Sequence, residues 1–133
     1  MSEHDIVKEW LLIAYEDHDT AQYLFENKHP KPYMIICYHC QQSVEKSLKA
    51  FLCASGNDVP KTHELGLLCR RCSAMDESFA DYCADCEELA IYATNTRYPS
   101  RIEIDEAHAK RALRQAITIY NHVSTKIQQL FSK

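Results

Sequence analysis

His39, Gln42, Glu45, Lys46 and Lys49 fall three and four positions apart in one stretch of the chain. On an α-helix that spacing puts several of them on one flank, because residues three or four apart are surface neighbours. A lysine and a histidine on such a flank can hold a phosphate. His63, Arg97 and Tyr98 come from other segments. They would add an imidazole, a guanidinium suited to bidentate phosphate contact, and a ring able to stack on a base, with Tyr92 as a second candidate for stacking. Asp17, further upstream, is a candidate partner for this seam. The other reading is structural: the same side chains tie helix to loop through hydrogen bonds and ion pairs. In that reading Glu45 and Lys49 form an ordinary i,i+4 pair worth a few tenths of a kcal/mol. Helical bundles build sites from facing side chains of this kind, so both readings stand.

The cysteines are the next candidates. Seven are present, and six of them form three Cys-x-x-Cys pairs: Cys37/Cys40, Cys69/Cys72 and Cys83/Cys86. The last two pairs have the spacing of a four-thiolate zinc site. Each pair also lies on an apolar helical stripe, where cysteine packs as a small hydrophobe. Zinc ribbons set such pairs on turns with glycine nearby, and no glycine lies beside these. Buried free thiols are therefore the expectation, with no metal. A thioredoxin-like role would need a βαβ pattern, which is missing.

These residues must be positioned by helices. Only two glycines and four prolines occur in 133 residues. So few breakers argue against a chain of many tight turns and suit a few long helices with short loops. Apolar residues make up 46% and charged residues 26%, a globular balance that predicts one domain over residues 1–133, large enough to bury a core unaided. The formal net charge of −4 gives no bulk attraction for nucleic acid, so DNA binding is not expected. No run of eighteen apolar residues is present, and Met1-Ser2-Glu3-His4-Asp5 has neither a basic nor an apolar leader region. A cytoplasmic protein with reduced thiols and no membrane contact is expected.

Apolar periodicity then sets the elements. A first helix is predicted over 3–27, with Ile6, Trp10, Ile13, Asp17, Ala21 and Leu24 as its stripe and His29-Pro30-Lys31-Pro32 closing it. A second starts near Pro32, a good first-turn residue, and buries Tyr33, Cys37, Cys40, Val44, Leu48 and Phe51. It ends near Ser55-Gly56-Asn57, with Gly56 as a left-handed cap. Thr62 is the predicted N-cap of a third helix carrying Leu65, Leu68, Cys69 and Cys72. A fourth spans 77–93, with Phe79, Tyr82, Cys83, Cys86, Leu89 and Ala90 on its stripe. A loop over 94–105 holds Arg97-Tyr98-Pro99. The last helix, 106–131, buries Leu113, Ala116, Tyr120, Val123, Ile127 and Leu130. Trp10, Phe25, Phe51 and Phe79 read as core or as cover for a dimer interface. His4, His18, His29 and His122 read as surface residues. Short connections favour antiparallel neighbours, so the fold class is all-α, an antiparallel up-and-down bundle of four to five helices.

The second helix carries Tyr38-His39-Cys40-Gln41-Gln42-Ser43-Val44-Glu45-Lys46-Ser47-Leu48-Lys49-Ala50, a block that resembles the Gln-Gln, Glu-Lys and Leu-Lys signature of the HEPN family. Thr62-His63-Glu64-Leu65 resembles its Thr-His-x-Leu block. Tyr92 followed by Thr96-Arg97-Tyr98-Pro99 resembles its Tyr and Thr-Arg-Tyr-Pro loop, and the stretch 14–24 resembles its first helix. The resemblance covers nearly the whole chain. It implies a helical bundle that often dimerises, association with nucleotide or RNA, and no cofactor. It also implies a possible partnership with a separately encoded minimal nucleotidyltransferase, in a toxin–antitoxin-like pair. On this reading His39, Gln42, Glu45, Lys46, His63, Arg97 and Tyr98 are the ligand-binding candidates.

Some relatives in that family are metal-independent ribonucleases or toxins that use an arginine followed closely by a histidine. The histidine would handle the proton of the attacking 2′-hydroxyl and the arginine would stabilise phosphate charge. Here no histidine follows Arg97 at the family's distance. Arg101 and His108 are the alternative catalytic pair, with Glu103, Asp105 and Glu106 between them. Two exposed polar residues at a helix start are the bland alternative for that pair.

Overall fold

The computed structural model describes residues 1–94 and 103–133. Arg97, Tyr98 and Arg101 lie outside the described residues. The chain is all-helical, as its sparse glycines require, and helix α1 spans Glu3–Asn27. Ser2 opens α1 with a capping box: its hydroxyl accepts from the Asp5 backbone and the Asp5 carboxylate accepts from the Ser2 N–H. Two otherwise orphaned donors are satisfied in this way. The fully buried residues of α1 are Val7, Ala14, His18 and Ala21; of the predicted stripe, Ala21 is buried and Trp10 and Leu24 pack against the core, but Ile6 and Ile13 do not. Ile6 and Ile13 are exposed. The buried line runs one residue off the predicted one over most of its length, with Val7, Ala14 and His18 inside and the two lines meeting at Ala21. Small residues let α1 lie close to its neighbour, and the Ser43 hydroxyl reaches the Ala14 carbonyl at 2.7 Å.

Helix α2 (Tyr33–Ala54) is the central element, packed most heavily against α1 and α5. From Ser43 to Leu52 every residue except Lys46 is buried. A helix buried all round should be apolar, so its polar residues need internal partners. Ser47 donates back to the Ser43 carbonyl at 2.8 Å, and the charged residues form the network described below. The predicted stripe of Cys37, Cys40, Val44, Leu48 and Phe51 is buried. Gly56 adopts φ +81°, the left-handed conformation expected of it. Its N–H reaches the Cys53 carbonyl and the Asn57 N–H reaches that of Leu52, the paired bonds of a Schellman end.

Helix α3 spans Leu65–Met75. It starts later than the Thr62 cap would place it: Glu64 holds the cap position, and the Thr62 hydroxyl accepts from the Glu64 N–H in a local turn instead. The predicted continuous fourth helix is also corrected. Glu77–Tyr82 winds as a 3-10 helix, and α4 covers only Cys83–Ala90. Asp76 caps the 3-10 turn through the Ser78 N–H, and Ser78 together with Lys126 draws the Asp76 carboxyl down to about 2. Helix α5 (Glu106–Phe131) returns along α2 and buries Ala109, Ala112, Leu113, Ala116, Ile119, Val123 and Ile127. Ile119 replaces the expected Tyr120 on the buried line, Tyr120 is half-buried, and Leu130 is exposed.

Two histidines read as surface residues are not. His18 is 8% exposed, set edge-on against Tyr15 and Tyr120 at 5.1 and 4.9 Å. Burial lowers its pKa, so it stays neutral at ordinary pH. His122 packs on Phe79 and Tyr82 and bonds the Ser78 hydroxyl at 2.9 Å. Among the described residues, no helix is long and apolar enough to cross a membrane.

Candidate functional site

The polar residues of α2 assemble where its flank meets α1 and the segment before α3. Glu45 is the hub. Its side chain is 1% exposed, yet Oε2 has three donors around it: Lys49 Nζ at 3.0 Å, Lys46 Nζ at 3.2 Å and His63 Nδ1 at 3.0 Å. This corrects the reading of Glu45 and Lys49 as an ordinary surface pair. Burial pushes the Glu45 carboxyl up, but the His63 and Lys49 hydrogen bonds and the two lysine charges outweigh it, and the net pKa falls. An ionised carboxylate only accepts, so His63 donates through Nδ1 and keeps Nε2 for other use.

Charge is unbalanced at this hub, since two ammonium groups face one carboxylate. Lys49 is nearly enclosed, at 7% exposure, with its ammonium 5.9 Å from the Trp10 ring centre. Lys46 is more open, at 19%. Its ammonium donates to Gln42 Oε1 at 3.0 Å and to Glu45 Oε2. An ammonium has three donors, and no third acceptor for Lys46 stands among the described residues. Gln42 is held in turn, because its amide donates to Gln41 Oε1 at 2.7 Å. The order Gln41–Gln42–Lys46–Glu45 therefore fixes the lysine head in one place. Long flexible side chains otherwise lose rotamer entropy on binding, and this anchoring reduces that loss.

His39 lies on the same helix and meets Asp17 of α1, Nδ1 to Oδ1 at 3.1 Å. The expected link from Asp17 to the seam is thus present. His63 stands at the edge, its side chain 75% exposed. It also lines a cavity of about 360 Å³ whose walls include Gly66, Arg70, Glu87, Ala93 and Thr94. The structure brings together His39, Gln42, Glu45, Lys46 and His63, with Lys49 and Asp17. Arg97 and Tyr98 fall outside the described residues. Tyr92 is withdrawn as a stacking residue: it is 6% exposed, and its hydroxyl bonds the Cys37 thiol. Gln41 was missed. Its sequence signal is the Gln-Gln pair of the family-like block, but helical spacing points it away from the flank that carries Gln42.

The alternative catalytic pair is arranged differently. His108 is the third residue of α5 and closes a capping box with Asp105. Its N–H donates to Asp105 Oδ1 at 3.1 Å, and its ring Nδ1 lies 2.9 Å from that oxygen and 3.2 Å from the Asp105 N. The ring secures a helix end. Arg101 lies outside the described residues, so its distance from His108 is not part of this geometry.

The cysteines are all free thiols. Cys37 and Cys40 are in the core, and burial pushes the Cys37 thiol up to about 12. Cys69, Cys72 and Cys86 are buried, and Cys83 is half-buried. Cys72 donates to the Leu48 carbonyl at 3.6 Å. Among the described residues, no group of three or more His, Cys, Asp or Glu stands at metal-ligand spacing.

A helical bundle with a network of charged and polar side chains along its central helix is the class of protein that these elements define. The chain belongs to the HEPN domain family, whose sequence model matches residues 7–127. Among solved structures it is similar to ST0689, an archaeal HEPN homologue, at 25% identity and a TM-score of 0.72, covering 91% of this chain and 97% of that one. It is also similar to TT1696 from Thermus thermophilus, at 25% identity and a TM-score of 0.75, covering 90% and 97%. No curated protein matches the sequence.

Proposed function

We propose that this protein is a binding and interaction module that holds the phosphate of a nucleotide or of RNA on the α2 flank. In this reading it acts as a homodimer with a minimal nucleotidyltransferase, in a toxin–antitoxin-like pair. The observation that carries the reading is the surplus positive charge at Glu45. Two lysines share one carboxylate oxygen, and the more open one, Lys46, is held in place with a donor to spare. That spare donor can take a phosphate oxygen as its third acceptor. His63 Nε2 and the adjoining cavity would receive the rest of the ligand, and Arg97 and Tyr98 would add a second cation and a stacking ring.

The test is a titration of the purified protein with ATP and with a short single-stranded RNA, beside Lys46→Ala. The variant is expected to fold normally and to lose about tenfold in affinity, the size of one charge-assisted hydrogen bond. Equal binding by parent and variant, or no binding by either, would reduce the flank to a structural network. Metal-independent RNA cleavage through Arg101 and His108 is the alternative function. It predicts cleavage in EDTA that His108→Ala abolishes. The capping role of His108 favours the binding module.

A further inference from the structure

The thiols between α3 and α4 stand in an arrangement that the phosphate-binding reading does not use. Cys69 Sγ and Cys83 Sγ are 3.1 Å apart. That is closer than two sulfur atoms need to be for packing. It lies about 1 Å beyond a disulfide bond, whose S–S distance is roughly 2.05 Å. The two residues belong to different elements: Cys69 is inside α3, and Cys83 is the first residue of α4, at its junction with the 3-10 helix. They differ in access. Cys69 is fully buried, with its thiol on the Phe79 carbonyl at 3.3 Å. Cys83 is half-buried and also near the Ser73 hydroxyl, at 3.7 Å.

We propose that Cys69 and Cys83 form a reversible intramolecular disulfide, an oxidation site that locks α4 onto α3. The co-reactant is a low-molecular-weight disulfide such as oxidised glutathione. Cys83, the accessible thiol, gives its proton to water and attacks one glutathione sulfur. A mixed disulfide forms, and the first glutathione leaves as a thiolate. Cys69 then loses its proton and attacks the Cys83 sulfur, which expels the second glutathione. Two protein thiols are oxidised, one disulfide is reduced to two thiols, and the two protons end on the glutathiones. Access assigns the order, since the buried Cys69 can only be the second to react.

Cys86 is the competing partner, because it too lies beside Cys69 and, ahead of burial, raises the Cys69 thiol. It is fully buried and has no route to the oxidant. Burial, and after it Cys69, also raises the Cys83 thiol. The reaction is therefore slow at neutral pH and quickens as pH rises. The consequence is local. Arg70 of α3 already bonds Glu87 of α4 at 3.2 Å beside the cavity that His63 lines. Oxidation adds a covalent tie to that contact.

The experiment treats the whole protein with oxidised glutathione at pH 8, alkylates the remaining thiols under denaturing conditions, and digests with trypsin. Cys69 lies in the fragment 62–70, and Cys83 lies in 72–97. A cross-link between those fragments is expected, assigned to Cys83 by fragmentation and reversed by dithiothreitol. Cys72→Ser and Cys86→Ser should keep it, and Cys69→Ser and Cys83→Ser should lose it. The oxidised protein should unfold at a temperature several degrees higher, as closing a loop of this length predicts. The parent cross-link map stands even where a serine variant fails to fold. A link from Cys69 to Cys86 or Cys72, glutathione adducts without a cross-link, or intermolecular links only would overturn the proposal. So would one zinc per chain in the untreated protein, since it would make the cluster a metal site.

Discussion

Two carboxylate–histidine pairs in this molecule have nearly the same length and opposite characters. His63 meets Glu45 at 3.0 Å and His108 meets Asp105 at 2.9 Å. The Asp105 side chain is 70% exposed and that of Glu45 is 1% exposed. At the start of α5, water already solvates both groups, and the pair serves to satisfy the first backbone N–H groups of the helix. On α2, burial removes the carboxylate from water at a cost of several kcal/mol, which only multiple close donors can offset. Two lysines and a histidine supply them. Distance alone therefore says little about what a charged pair does, and its surroundings decide whether it caps a helix or organises a site.

The largest test of that contrast is to remove the hub. Glu45→Ala leaves Lys49 buried without a counter-charge, and a loss of about 3–5 kcal/mol is expected in urea unfolding. A loss under 1 kcal/mol would mean that water already reaches the lysine heads. The pH dependence should separate the pairs next. The Glu45 carboxyl sits below its ordinary value of 4.5 in the folded protein. Its stabilisation is therefore complete above that value and is lost as pH falls through the folded pKa. Unfolding midpoints measured from pH 7 down to pH 3 should fall in the parent, and Glu45→Gln should make that limb shallower, leaving the part that Asp76 contributes. Asp105→Asn should leave it nearly unchanged, although the Asp105 carboxyl is also lowered, first by the His108 backbone N–H.

Smaller effects sharpen the comparison. Asp105→Ala removes a helix cap, and a fall of a few degrees in Tm is expected by calorimetry. Lys46→Ala should cost no more than about 1 kcal/mol, since Lys49 and His63 still serve Glu45, while ligand affinity drops. A large stability loss in that variant would recast Lys46 as a structural residue. His63→Ala touches the most exposed partner and should change stability least, by a few tenths of a kcal/mol.

The class of the fold was legible from few glycines, long apolar periods and short connections. The α2 stripe was legible for the same reason, since Cys37, Cys40, Val44, Leu48 and Phe51 repeat at helical spacing with no rival line. Gly56 was legible because a residue without Cβ after a helical run has one common use. The candidate site was legible in part. The spacing of His39, Gln42, Glu45, Lys46 and Lys49 put them on a shared flank, and Asp17 stood out as the polar residue on an apolar stripe. What spacing lacks is depth, and Glu45 looks the same in sequence whether it faces water or the donor groups of Lys46, Lys49 and His63.

The other departures share one cause. On α1 two apolar stripes compete, and periodicity ranks both equally. Packing chose the line through Ala14 because its small side chain admits the close approach at which Ser43 reaches the Ala14 carbonyl. His18 went inside with that choice, and Ile6 and Ile13 stayed out. The break between the 3-10 helix and α4 at Tyr82 and Cys83 likewise leaves no mark in local composition. It sits where Phe79 meets Phe51 of α2, at 4.4 Å between ring centres, and His122 of α5. Local sequence sets which residues can form a helix and which faces are apolar, because those are properties of a few consecutive side chains. Which apolar face is buried, and whether a carboxylate among lysines is a surface pair or the centre of a site, depends on groups distant in the chain, and those meet only when the helices pack.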